Sequence, residues 1–102
     1  MGNNLAMSLL NQIQSKRDEI LSIAASHGAS DVRVFGSVSR GEEIESSDID
    51  FLVLLQPGRS LLDHAAIKIE LEELLGRPVD VATEGGLKAK YRDRILNEAV
   101  AI

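Results

Sequence analysis

The stretch Phe35–Leu55, FGSVSRGEEIESSDIDFLVLL, holds the pattern that decides the fold. Its end, Asp48–Leu55, opens with two acids and closes in an unbroken apolar run, Phe51–Leu55. An apolar run without alternation reads as a strand covered on both faces. Residues i and i+2 of a strand share a face, so Asp48 and Asp50 project together, with Ile49 and Phe51 on the other side. Upstream, Gly36–Ser37 and Arg40–Gly41 mark a turn-rich connector with room for one short helical turn.

Outward from this stretch, Val32, Val34 and Phe35 in DVRVF make a short strand before the connector. The segment ahead of it reads as one helix ending near Ser26. Asn3 or Asn4 is its cap, Leu5, Leu9, Ile13, Ile20 and Ala24 its stripe, and Gly28 its stop. Downstream, Pro57-Gly58 ends the apolar strand and a helix spans about Ser60 to Leu75, closed by Gly76 and Pro78. PVDVAT is a third strand, Gly85-Gly86 a turn, and Leu87 to the end a last helix. The expectation is a small α/β sandwich of three strands and three helices, one domain over 1–102, with the strand directions left open.

Composition narrows the function classes. The chain has 102 residues, 44% apolar and 26% charged, with net charge −5. That acidity argues against non-specific nucleic-acid binding, and two Phe with one Tyr offer little for stacking bases. There is no cysteine, so disulfide and thiol chemistry are excluded and a cytoplasmic location is expected. No apolar run is long enough to span a membrane, and the first residues lack the layout of a secretion signal.

Two adjacent carboxylates repel, which raises the pKa of one of them. A divalent cation removes the conflict, and Mg²⁺ is characteristically held by one or two carboxylates plus substrate phosphates. Asp80, between Val79 and Val81, points away from its buried neighbours. If its strand pairs with that of Asp48 and Asp50, the three acids share one edge of the sheet. Asp80 then serves as a further metal ligand or as general base for an attacking hydroxyl. Alone, Asp-x-Asp is more often a solvated pair on an edge strand, and Asp80 a solvated strand residue.

Gly36 permits close backbone approach to a ligand, or an unusual dihedral, and Ser37 opens a turn whose amides can hold phosphate oxygens. Arg40 either grips phosphate or answers Glu42, Glu43 and Glu45 at the surface. The helix over Ser60–Leu75 and the last helix are each apolar on two sides, which fits deep burial or a partner. Arg92 and Arg94 either touch nucleotide or partner, or are solvated.

Taken whole, the stretch resembles the signature of the nucleotidyltransferase superfamily that includes DNA polymerase beta. Gly36–Ser37 and Asp48–Ile49–Asp50 match, with Val38 to Ser47 as the spacer, and Gly41 and Ser47 extend the match. VDVAT lies where such proteins carry their third carboxylate, here Asp80. The small size is similar to the minimal nucleotidyltransferases that pair with an all-helical HEPN protein, and the resemblance implies a small nucleotidyltransferase-type fold, a three-stranded mixed sheet with packed helices. The resemblance implies an antitoxin that transfers AMP from ATP, with Mg²⁺, to a tyrosine of a HEPN toxin. It also implies nucleotide phosphates at Gly36 and Ser37, metal at Asp48 and Asp50, and Asp80 completing the triad. Two other functions stay open: neutralisation by binding alone, and transfer to a small molecule such as an aminoglycoside.

Overall fold

The computed structural model describes residues 8–102; the expected cap at Asn3 or Asn4 and the contribution of Leu5 lie outside them. The expected first helix is two, α1 (Leu9–Ser15) and α2 (Arg17–Ser26). Ser8 caps α1 by accepting from the Asn11 N–H at 3.1 Å. The break at Lys16 has a local cause. The Ser15 hydroxyl donates to the Gln12 carbonyl at 2.6 Å, the acceptor the Lys16 N–H would use in a continuous helix. The Lys16 N–H bonds to the Ile13 carbonyl instead. Gly28, at φ 75°, then turns the chain out of α2.

Four strands form one mixed sheet: β1 (Ala29–Phe35), β2 (Ile49–Leu55), β3 (Val79–Thr83) and β4 (Val100–Ala101), in the order β3-β2-β1-β4. β1 pairs antiparallel with both β2 and β4, and β2 pairs parallel with β3. The three expected strands are present, and β4 is a correction to the three-stranded sheet. The last helix, α5 (Ala89–Glu98), stops short of the expected end, because Ala99 leaves helical geometry at ψ 136° and Val100 pairs with Val34. Two residues of strand after an apolar helical pattern carry no period of their own. The unpaired edge of β1 decides their conformation.

The connector contains one helical turn, α3 (Ser37–Arg40), and α4 (Leu61–Leu75) links β2 to β3 as the crossover that parallel pairing requires. Ser60 and Asp63 form a capping box at the start of α4, and Gly76 ends it in the left-handed conformation. The main core lies between one face of the sheet and α1, α2 and α4. Ile13, Ile20, Ile67 and Leu71 pack there with Val34, Ile49, Phe51, Val53 and Val79, all at most 1% exposed.

Only one side of α4 is used in this way. Leu61 and Leu62 on its opposite side are more than 80% exposed and Ile69 is 54% exposed. On α5, Ile95 is buried while Tyr91 is partly exposed. Side chains of α4 also reach the outer backbone of β3. Glu72 accepts the Val79 N–H at 3.0 Å, Lys68 donates to the Val79 carbonyl at 2.8 Å, and His64 bonds the Val81 carbonyl. Lys68, then the Val79 N–H, hold the Glu72 carboxyl below its usual range. Among the described residues no helix is long and apolar enough to cross a membrane.

Candidate functional site

The parallel ladder between β2 and β3 sets Asp50 directly opposite Asp80. Residues opposed in this way point to the same face of the sheet, and that face is the one away from Ile49 and Phe51. Asp48 sits one residue ahead of β2, which begins at Ile49 and not at Asp48 as expected. The sheet thus brings the three acids to one edge, with Asp48 and Asp80 exposed and Asp50 half-buried.

The crowding shows in the electrostatics of Asp50. Burial raises its pKa from 3.8 to about 6, reinforced by Asp80, then Asp48, then Glu98, with Arg40 opposing. Among the described residues no hydrogen bond or ion pair engages the side chains of Asp48, Asp50 or Asp80.

Gly36 explains how Asp50 is accommodated. Its φ is 74°, and a Cβ placed there would lie 2.3 Å from Asp50 Oδ2. The unusual dihedral expected of this glycine is present, and the neighbour that fills the space beside its Cα is Asp50. Ser37 opens α3, whose Val38 is anchored in the core at 1% exposed. The Ser39 hydroxyl returns to the Gly36 carbonyl at 2.9 Å.

Arg40 is held at two points. Its Nε donates to Glu42 at 2.9 Å and its Nη1 to Glu98 at 2.9 Å. Those two carboxylates raise its pKa, Glu42 first. Of the surface acids expected around Arg40, Glu42 is a partner, and Glu43 and Glu45 are not. The connector is instead tied down by Arg77, which donates to the carbonyls of Ile44, Glu45 and Ser47.

Glu98 is the site residue that the sequence did not flag. Its second oxygen accepts the Gly36 N–H at 2.6 Å. It stands 62 positions from Gly36, and a glutamate in the charged pattern of α5 gives no signal of it. Arg92 donates to the Glu84 carbonyl at 2.7 Å, and Arg94 lies over the Tyr91 ring.

The donor set suits a hard divalent cation: three carboxylates, all oxygen, with the pKa of Asp50 raised by burial and then by the other two. Among the described residues no three acidic, histidine or cysteine side chains are already gathered to hold one ion. Mg²⁺ needs no closed protein cage, because substrate phosphates and water complete its shell.

Comparison with known proteins agrees with this architecture. A family model described as a nucleotidyltransferase domain matches residues 17–102. A protein of Methanocaldococcus jannaschii, named as a candidate protein adenylyltransferase, is 46% identical over 91% of this chain and 97% of its own length. The protein adenylyltransferase MntA of Thermococcus cleftensis is 37% identical over 83% of this chain and 94% of its own length. A solved structure described as a candidate minimal nucleotidyltransferase superimposes with TM-score 0.83 at 47% identity, covering 97% of this chain and all of that one. A toxin-antitoxin structure with AMP-PNP shares the fold at TM-score 0.71 and 19% identity, over 82% of this chain and 69% of that one.

Proposed function

Because the chain belongs to the nucleotidyltransferase domain family, and is a transferase on that ground, we propose that it is an Mg²⁺-dependent protein adenylyltransferase. In this reading it works in the cytoplasm as one minimal domain over 1–102. It is an antitoxin that transfers AMP from ATP to a tyrosine hydroxyl of a HEPN-family toxin. The observation that carries the reading is the pairing of Asp50 with Asp80, with Asp48 beside them, on one sheet edge. Support for a protein acceptor comes from relatives named protein adenylyltransferase, and for a toxin partner from the shared fold of a toxin-antitoxin protein.

The reaction is an in-line displacement. The acceptor oxygen bonds to the α-phosphorus of ATP, and the bond from that phosphorus to the leaving pyrophosphate breaks. The acceptor proton passes to a carboxylate oxygen, in this reading that of Asp80, a role supported by its exposure and its position opposite Asp50. Asp48, Asp50 and Asp80 would hold the metal, which when bound offsets charge on the reacting phosphate oxygens. Gly36, Ser37 and Arg40 bind and orient the triphosphate tail. Asp50 lies half-buried and close against Gly36, which narrows the directions open to its carboxylate.

A second reading is an antitoxin that neutralises by binding alone, favoured by the exposed apolar side of α4 at Leu61, Leu62 and Ile69. The test mixes the chain with its HEPN-type toxin, ATP and Mg²⁺ and measures the intact mass of the toxin. We expect a gain of one or more AMP units, lost in folded Asp48→Ala and Asp80→Asn variants. Tight complex formation and full neutralisation with no mass gain by the wild type would overturn the enzymatic reading in favour of masking.

A further inference from the structure

We propose that Glu98 is a positioning residue for the nucleotide phosphates, acting through Arg40 and the Gly36 turn. One carboxylate bridges both. Oε2 takes the Gly36 N–H at 2.6 Å and Oε1 takes Arg40 Nη1 at 2.9 Å. A bond between an ionised acceptor and a charged donor is about twice as strong as a neutral one, and the Glu98 side chain is only 18% exposed.

Glu98 itself cannot drift. It is the last residue of α5, and immediately beyond it β4 pairs with β1 at Val34↔Val100 and Arg33↔Ala101. β1 ends at Phe35, one residue before Gly36. Two strands of the sheet therefore fix the spacing between Glu98 and the turn it holds. This gives β4, too short to add much to the core, a definite role.

The arrangement leaves Arg40 pre-aimed. Glu42 holds Nε and Glu98 holds Nη1, so Nη2 is the donor with no partner among the described residues. A guanidinium fixed by two carboxylates presents its remaining N–H groups in a set direction and loses little freedom when it meets phosphate. Glu98 does not take up the Nη2 donor, so it directs the arginine and does not displace phosphate from it.

This inference rests on reading the site as one for ATP. The test measures the Kd of MgATP by calorimetry for the wild type, Glu98→Ala, Glu98→Gln, Arg40→Ala and the Glu98→Ala/Arg40→Ala double variant. Transfer rates at saturating ATP are measured alongside. Loss of a charge-assisted contact predicts a Kd raised about tenfold in Glu98→Ala. Glu98→Gln, which keeps one acceptor oxygen, should fall between it and the wild type, and kcat should change less than Kd. In the Arg40→Ala background, Glu98→Ala should add a clearly smaller further loss than it causes in the wild type, because only its hold on the Gly36 turn is left to lose.

A Kd that is unchanged or lower in Glu98→Gln, or full additivity in the double variant, overturns the proposal and leaves the nucleotide site standing. If Glu98→Ala does not fold, the Gln variant alone decides by the same criterion. A wild type that does not bind MgATP overturns the reading of the site itself, and this proposal with it.

Discussion

Replacing Asp50 with asparagine should make the metal-free protein more stable at neutral pH. In the folded chain Asp50 titrates at about 6 against an ordinary 3.8, through burial and then Asp80, Asp48 and Glu98. The fold therefore favours the protonated form. The stability this contributes is fully present below about pH 4 and is lost as pH rises through about 6. A shift of about two units corresponds to about 3 kcal/mol. Asp50 retains some contact with water, which screens the repulsion, so about 1–2 kcal/mol is the expected penalty above pH 7.

Asp50→Asn removes that penalty and leaves the shape of the side chain. Urea denaturation in the presence of a chelator should show the variant and wild type nearly equal near pH 4. At about pH 7 the variant should be ahead by 1–2 kcal/mol, or about 5–10 °C in Tm. Titrating groups that do not interact with Asp50, such as Glu72, whose pKa is lowered, cancel in the difference between the two proteins. Added Mg²⁺ should narrow the gap by stabilising the wild type more than the variant, which lacks one of the three carboxylates. A difference that is flat with pH, or a variant less stable at neutral pH, would refute the account of Asp50 as a crowded, partly desolvated carboxylate.

Gly36→Ala places a Cβ 2.3 Å from Asp50 Oδ2 at a φ of 74°, and should cost at least about 2 kcal/mol. Gly41→Ala, at φ 70° with nothing within 4 Å, should cost about 1 kcal/mol from backbone strain alone; equal losses in urea titrations would contradict the contact with Asp50. Ser60→Ala removes half of the capping box of α4 and should cost about 1 kcal/mol, read as a lower denaturation midpoint at an unchanged slope.

Much of the site was legible because its parts are local or periodic. The spacing of Gly36–Ser37 from Asp48 and Asp50 lies within one continuous stretch. The alternation around Asp50 and Asp80 gives each its face. What sequence could not supply was the relation between strands: parallel pairing and the register Asp50↔Asp80 emerge only once α4 crosses over. β4 was missed because Ala99, Val100 and Ile102 continue the apolar spacing of α5, and no glycine or proline marks the stop. The break at Lys16 was missed for a similar reason, since it depends on one hydroxyl of Ser15. Glu98 could be recognised only in three dimensions, where it meets Gly36 and Arg40 from the far end of the chain.

The lacing of β3 by α4 has a consequence beyond stability. β3 is an edge strand, and an edge with free backbone groups invites another chain to add to the sheet. Here the outward N–H and carbonyl of Val79 and the carbonyl of Val81 are already spoken for by Glu72, Lys68 and His64. A protein that adds a strand at β3 must first displace these side-chain bonds around Asp80. The stretch so covered is the one that carries Asp80, with Val79 before it and Val81 after it both tied to α4.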